Sequence, residues 1–124
     1  MIIGTGIDII EVSRVADKIA KGNGFLEKIF SPDEIAFCEQ KKDKDEHYAA
    51  RFAAKEAFLK AIGLGLSAGF DLCNIELFND ESGKPHLRLK GPFEQLAREK
   101  QWQAVHVSLS HIQSTACATV IIEG

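Results

Sequence analysis

No apolar run in these 124 residues approaches the roughly 20 needed to cross a bilayer, so no membrane span is expected. The apolar start, MIIGTGIDII, has no basic stretch ahead of it and is interrupted by Asp8, which argues against a cleaved leader. Cysteine is scarce: Cys38, Cys73 and Cys117 are three in number and far apart. Without a C-x-x-C pair, neither a zinc knuckle nor a disulfide framework is indicated, and reduced thiols in a soluble cytoplasmic protein are expected. The net charge is only −3, so the whole-molecule charge does not mark a nucleic-acid binder. No internal repeat or low-complexity tract is present. What is there is ordinary, with 45% hydrophobic and 27% charged residues, enough for a single domain over residues 1–124 with one core.

Residues 2–12 are β-branched and punctuated by glycine, which predicts a strand. Alternation puts Gly4, Gly6, Asp8, Ile10 and Val12 on one face and Ile3, Thr5, Ile7, Ile9 and Glu11 on the other. The two glycines leave open space beside Asp8 for a ligand or another backbone. Ser13 is read as the cap of a helix running to about Lys21, stopped by Gly22-Asn23-Gly24. Ser31-Pro32-Asp33-Glu34 has the residues of a capping box and predicts a second helix. Lys41 to Glu46 reads as a charged, mobile link. The longest helix is expected from about Glu46 to Ile62, ended by Gly63. Its stripe holds Ala49, Phe52, Ala53, Glu56, Leu59 and Lys60, with Phe58 and Ile62 near the opposite side. A helix apolar over most of its circumference belongs in the middle of a fold. After the glycine-rich connector 63–70, strands are expected at 71–78 and 86–90 around a hairpin loop, then a helix from Pro92 to Lys100 and strands at 104–110 and 115–122. This order predicts an α+β domain, with a mostly antiparallel sheet packed around the long central helix.

Two carboxylates stand where these patterns ask for hydrocarbon. Asp8 interrupts the strand IIGTGIDIIEV, and Glu56 lies within the apolar stripe of RFAAKEAFLKAIG. An ionised acid in apolar surroundings costs several kcal/mol unless something positive sits beside it. Two acids with no Cys or His nearby form an oxygen-only donor set, which suits a hard ion such as Mg²⁺. That ion commonly takes one or two carboxylates and leaves places for waters and substrate phosphates. The local alternative is that Glu56 pairs with Lys60 one turn on while Asp8 caps a turn, a pairing that contributes only a few tenths of a kcal/mol.

Lys60 also needs a partner, and a phosphate would serve as well as Glu56. Desolvation would suit it to proton transfer instead, and both roles stay open. His111 closes the strand-like run AVHVSLSH, His106 alternates within it as a structural residue, and His47 and His86 have no constellation around them. Arg14, Lys18 and Lys21 form a basic edge at i, i+4 and i+7, with Val15 and Ile19 turned toward the core. This edge is either a solvated face or a docking edge for an acidic helix. Burying the strand-face glycines and the all-round apolar helix is expected to need more neighbours than one small sheet offers, as when subunits pack side by side.

The segments GTGIDIIEVSRV, RFAAKEAFLKAIGLG, NDESGKPHLRL and HVSLSH occur in that order. With them the chain resembles, over nearly its whole length, the short single-domain 4′-phosphopantetheinyl transferases of the holo-acyl-carrier-protein synthase class. The resemblance implies transfer of 4′-phosphopantetheine from coenzyme A to a serine of apo acyl carrier protein, with Mg²⁺ and release of adenosine 3′,5′-bisphosphate, in the service of fatty acid biosynthesis. It implies that Asp8 and Glu56 hold the metal, and that Lys60 contacts the diphosphate or assists proton removal. It places Arg51, Gly63 and His111 near coenzyme A, with Glu56, Lys60 and His111 the catalytic candidates. It puts the Gly83-Lys84-Pro85 loop near the adenine end. Arg14 would meet the carrier protein, a surface that Lys18 and Lys21 extend. A homotrimer with sites shared between neighbours is implied as well. Some relatives carry an acid directly after the histidine; here Ile112 and Gln113 follow His111, so an acid-assisted histidine is not expected. Rival readings from the same acids are a Mg²⁺-dependent phosphohydrolase and a trimeric ligand-binding module with a structural ion.

Overall fold

Glycine decides how closely the first strand approaches the central helix. The strand β1 spans Ile2–Glu11 and the helix, α4, spans Lys44–Ala61. A methyl group added at Gly6 would lie 1.9 Å from the Ala57 carbonyl oxygen, and one at Gly4 would lie 2.3 Å from that of Ala61. Only glycine lets the strand rest on the helix backbone itself, so the space expected beside Asp8 is filled by a backbone. The computed structural model describes residues 1–65 and 71–124.

Around α4 lie two antiparallel sheets among the described residues. In the first, β1 pairs with β5 (Thr115–Glu123), which pairs in turn with β4 (Ala104–His111), giving the order β1-β5-β4. The second is the hairpin of β2 (Ile75–Asn79) and β3 (Pro85–Leu89). Alternation along β5 buries Ala116, Ala118, Val120 and Ile122 against the helix. On α4 every residue from Tyr48 to Leu59 is buried. Alanines at 49, 50, 53, 54 and 57 keep that helix slim enough for strands and helices to close on all its sides. The expected α+β architecture is therefore present.

Among the described residues four further short helices are present: α1 (Val12–Lys21), α2 (Phe25–Ile29), α3 (Pro32–Glu39) and α5 (Pro92–Glu99). At α3 the capping box forms, with Glu34 N donating to Ser31 Oγ and Ser31 N donating to Glu34 Oε1. Ser13 caps nothing. The Val12 amide bonds to the Ser114 carbonyl, so α1 springs directly from the β ladder with Glu11 at its N-cap. Nothing in the sequence pointed to α2, which is barely more than a turn long. The helix α4 begins at Lys44, two residues before its expected start and inside what read as a charged link, and residues 72–74 form a 3-10 turn rather than strand. Residues 66–70 of the expected glycine connector lie outside the described residues.

One buried ion pair ties these parts together. Lys55, fully buried, donates from Nζ to Glu34 Oε1 at 2.8 Å and to the carbonyls of Leu72 and Ile75 at 3.0 and 2.6 Å. Glu34 also accepts from Leu77 N at 3.1 Å. With its charge and donors answered in this way, the lysine is tolerable in the core. It locks α4 to α3 and to the start of the hairpin.

Candidate active site

Asp8 and Glu56 come together where β1 crosses α4. They line a hollow of about 190 Å³ with Ile9, Ile10, Arg14, Val15, Lys18 and Phe52. Glu56 is 7% exposed, and its Oε1 has no hydrogen-bond partner among the described residues. Burial, and next the neighbouring Asp8 charge, push its carboxyl up to about 7, against the pull of Lys60 and Lys18. Lys60 reaches Asp8, not Glu56: its Nζ lies 3.2 Å from Asp8 Oδ1 and donates to the Ile7 carbonyl at 2.9 Å. The local pairing of Glu56 with Lys60 is thus not made. Lys60 itself is 54% exposed, so it is not buried as its place in the apolar stripe suggested. A buried carboxylate with a free oxygen beside a second acid fits a small hard cation. The hollow has room for an ion and a few waters, and a nucleotide must extend beyond it.

The basic edge on α1 is not uniform. Arg14 and Lys18 both line this hollow, whereas Lys21 ends the helix, exposed. The Lys18 ammonium sits 5.8 Å from the Phe25 ring centroid and 6.0 Å from that of Phe52, a cation–π seat at the mouth of the acidic pocket. Of the three, Lys21 has the least connection to the site.

The other candidates lie on a different side of α4. Five residues turn a helix through about 140° relative to one another, so Arg51 projects away from Glu56. Arg51 is buried and donates from Nη2 to Asn79 Oδ1 at 2.9 Å; Asn79 Nδ2 in turn donates to the Gly83 carbonyl. Arg51 is thereby tied to the turn that carries Lys84 and Pro85. Its guanidinium lies over the Phe37 ring at 4.1 Å, and its Nε is buried with no partner among the described residues. The turn is held by Asp80, whose Oδ1 accepts from the Ser82 and Lys84 amides and whose Oδ2 meets His86 Nε2 at 2.8 Å. The Ser82 hydrogen bond, then that of His86, holds the Asp80 carboxyl well below the usual range. Gly63 follows α4 at φ +80°, as a helix stop requires.

His111 ends β4 and has an acid after all. Its Nδ1 lies 2.8 Å from Glu46 Oε1, in the first turn of α4. Only the residues immediately after a histidine could be checked in sequence; this carboxylate comes from 65 positions away. His47 also gains a constellation: it pairs with Asp43 at 3.2 Å and packs edge-on against the rings of Phe37 and His111. Asp43, Glu46 and His111 offer ligand atoms within 4.8 Å of one another. Glu46 and Glu56 are ten residues apart, about 15 Å along the helix, so the expected site residues fall into two separate groups within one chain. Cys38 is no nucleophile, since burial pushes its thiol up to about 12.

Comparison with known proteins places the chain in a family. The profile of the 4′-phosphopantetheinyl transferase superfamily matches residues 4–120. Holo-[acyl-carrier-protein] synthases of Syntrophus aciditrophicus and Geobacter sp. (strain M21) are each 46% identical, over 100% and 99% of this chain and 98% and 99% of their own lengths. Among solved structures, the holo-[acyl-carrier-protein] synthase of Neisseria meningitidis superposes with a TM-score of 0.89 at 33% identity, all of both chains being covered. That of Helicobacter pylori, in complex with coenzyme A, gives 0.83 at 28% identity over 96% of this chain and 99% of its own. The chain belongs to the 4′-phosphopantetheinyl transferase superfamily and, within it, to the holo-[acyl-carrier-protein] synthases.

Proposed function

We propose that this enzyme transfers the 4′-phosphopantetheine of coenzyme A to a serine of apo acyl carrier protein in a Mg²⁺-dependent reaction. The carrying observation is Glu56, a buried carboxylate beside Asp8 with an oxygen that has no hydrogen-bond partner among the described residues. Asp8 and Glu56 would hold the ion. When bound, it would neutralise charge on the diphosphate and favour attack at phosphorus. Lys60, exposed at the rim, contacts a diphosphate oxygen. The serine Oγ attacks the phosphorus bearing the pantetheine arm; a new P–O bond forms, the bond to the nucleotide phosphate breaks, and adenosine 3′,5′-bisphosphate leaves with the electron pair. Glu56, Lys60 or a water at the site takes the serine proton. Arg14 steers the carrier's acidic surface to the hollow, with Lys18 and Lys21 adding positive charge.

Arg51, Gly63, Lys84, Pro85 and His111 serve the coenzyme, and Arg51 and His111 do so on a neighbouring subunit's half of the site. Support comes from the outer face of the first sheet. Ile3, Ile7, Ile9 and Ile121 are 50%, 63%, 71% and 37% exposed there, on strands whose opposite face is packed. Such a patch on a sheet marks an assembly surface, and a homotrimer would cover it. The need for neighbours arises here rather than at α4, which one chain buries by itself. No helix among the described residues is long and apolar enough to cross a membrane; a cytoplasmic enzyme of fatty acid biosynthesis is the setting we assign.

The test is incubation of the purified chain with coenzyme A and apo carrier, with and without EDTA, read by the carrier's mass. A mass gain that needs both carrier and divalent ion supports transfer. Coenzyme A cleaved without carrier would replace it with hydrolysis, and binding without turnover would leave a ligand-binding module.

A further inference from the structure

Among the described residues, His111 is hydrogen-bonded at one ring edge. Its backbone is pinned in β4 opposite Ala116 of β5, and the His47 ring packs edge-on at 5.1 Å. Glu46 Oε1 takes the Nδ1 edge at 2.8 Å, and both side chains are mostly shielded, at 26% and 19% exposure. Among the described residues no hydrogen bond reaches Nε2. A carboxylate on Nδ1 selects the tautomer with its proton there and sets the ring plane, as partners of functional histidines commonly do. Glu46 sits in the first turn of α4, which Lys55 locks further along its length. The carboxylate is therefore delivered by a rigid element rather than by a loop.

We propose that Glu46 is a positioning residue for His111. It holds Nδ1 so that Nε2 is the edge presented to the phosphate groups of coenzyme A. This rests on the function proposed above, which puts His111 beside the coenzyme. Glu46 itself touches no substrate and acts only through the ring.

Two measurements test this on the full-length protein. Histidine ¹⁵N shifts of the free protein, at a pH where His111 is neutral and with its signal assigned from His111→Asn, should show the proton on Nδ1. Glu46→Ala should move it toward Nε2. Calorimetric titration with coenzyme A and Mg²⁺ should then show Glu46→Ala weakening binding about tenfold, the scale of one charge-assisted hydrogen bond. The KM for apo carrier should stay unchanged. In a His111→Ala background, adding Glu46→Ala should cost nothing more, because the two act as one unit. If Glu46→Ala does not fold, Glu46→Met keeps the volume without the acceptor and replaces it. An unmoved tautomer, unchanged coenzyme affinity, or an equal loss in the His111→Ala background would each overturn the proposal. A wild-type protein that binds coenzyme A yet transfers nothing would overturn the function alone, leaving the tautomer and affinity results to decide Glu46.

Discussion

Replacing Glu56 by glutamine should stabilise the metal-free protein, and the size of the gain follows from the pocket. The carboxyl titrates near 4.5 when solvated and at about 7 in the fold, because burial and Asp8 oppose its charge. Below the unfolded value the acid is neutral in both states and no penalty exists. As pH rises from there the unfolded chain ionises first, so stability falls until the folded group ionises as well; above about 7 the full penalty is in place. It amounts to at most about 3 kcal/mol, at 1.36 kcal/mol per pKa unit. Glu56→Gln removes the charge and keeps the shape. Guanidinium unfolding in EDTA at one fixed protein concentration should show little difference at pH 4 and a gain of about 2–3 kcal/mol at pH 8. Saturating Mg²⁺ should then restore wild-type stability, by about 2.7 kcal/mol at a hundredfold excess over Kd, and do far less for the variant. Equal stabilities at pH 8 in EDTA would refute the claim that this acid is held against its preference.

Further expectations concern the elements that build the pocket. Gly6→Ala should abolish folding or cost more than about 4 kcal/mol, since its methyl would fall 1.9 Å from the Ala57 carbonyl oxygen; soluble yield and far-UV circular dichroism would show it. Lys55→Met should destabilise by roughly 3–5 kcal/mol because Glu34 is left buried and unpaired, read from denaturant midpoints. Ile9→Asp, at a side chain 71% exposed in one chain, should leave the subunit fold intact while lowering the mass found in sedimentation; an unchanged mass would remove the isoleucine face from the interface.

The sequence showed most clearly what local chemistry enforces. The capping box at Ser31 is contained within four residues, and it formed as expected. The buried course of α4 followed from apolar residues all round its circumference. Asp8 and Glu56 stood out because each broke a pattern. Illegible features depend on contacts between distant segments. Ser13 resembled a cap, but the Ser114 carbonyl had already engaged the preceding amide. Lys60 sat in the stripe by periodicity, yet at the end of the helix that stripe leaves the core and the side chain reaches Asp8 in solvent. Glu46 looked like part of a charged link, and nothing local tied it to a histidine 65 positions later. Lys55, beside the conspicuous Glu56, gave no sign that three oxygens awaited it.

If the proposed chemistry draws on both groups of residues, carrying them on one helix has a mechanical consequence. Glu56 faces β1 and α1, Arg51 is tied to the hairpin turn, and Glu46, in the first turn of the helix, meets His111. If sites form between subunits, every α4 contributes to two of them, and rotation of one helix would misalign both. Lys55 lies between these faces, and its contacts with Glu34, Leu72 and Ile75 resist that rotation from within a single chain. Gly4 and Gly6 oppose sliding along the axis, because β1 sits directly against the carbonyls of Ala57 and Ala61. The costly features of this small protein, a buried ion pair and a backbone-on-backbone contact, thus fall on the element whose orientation the proposed chemistry can least tolerate losing.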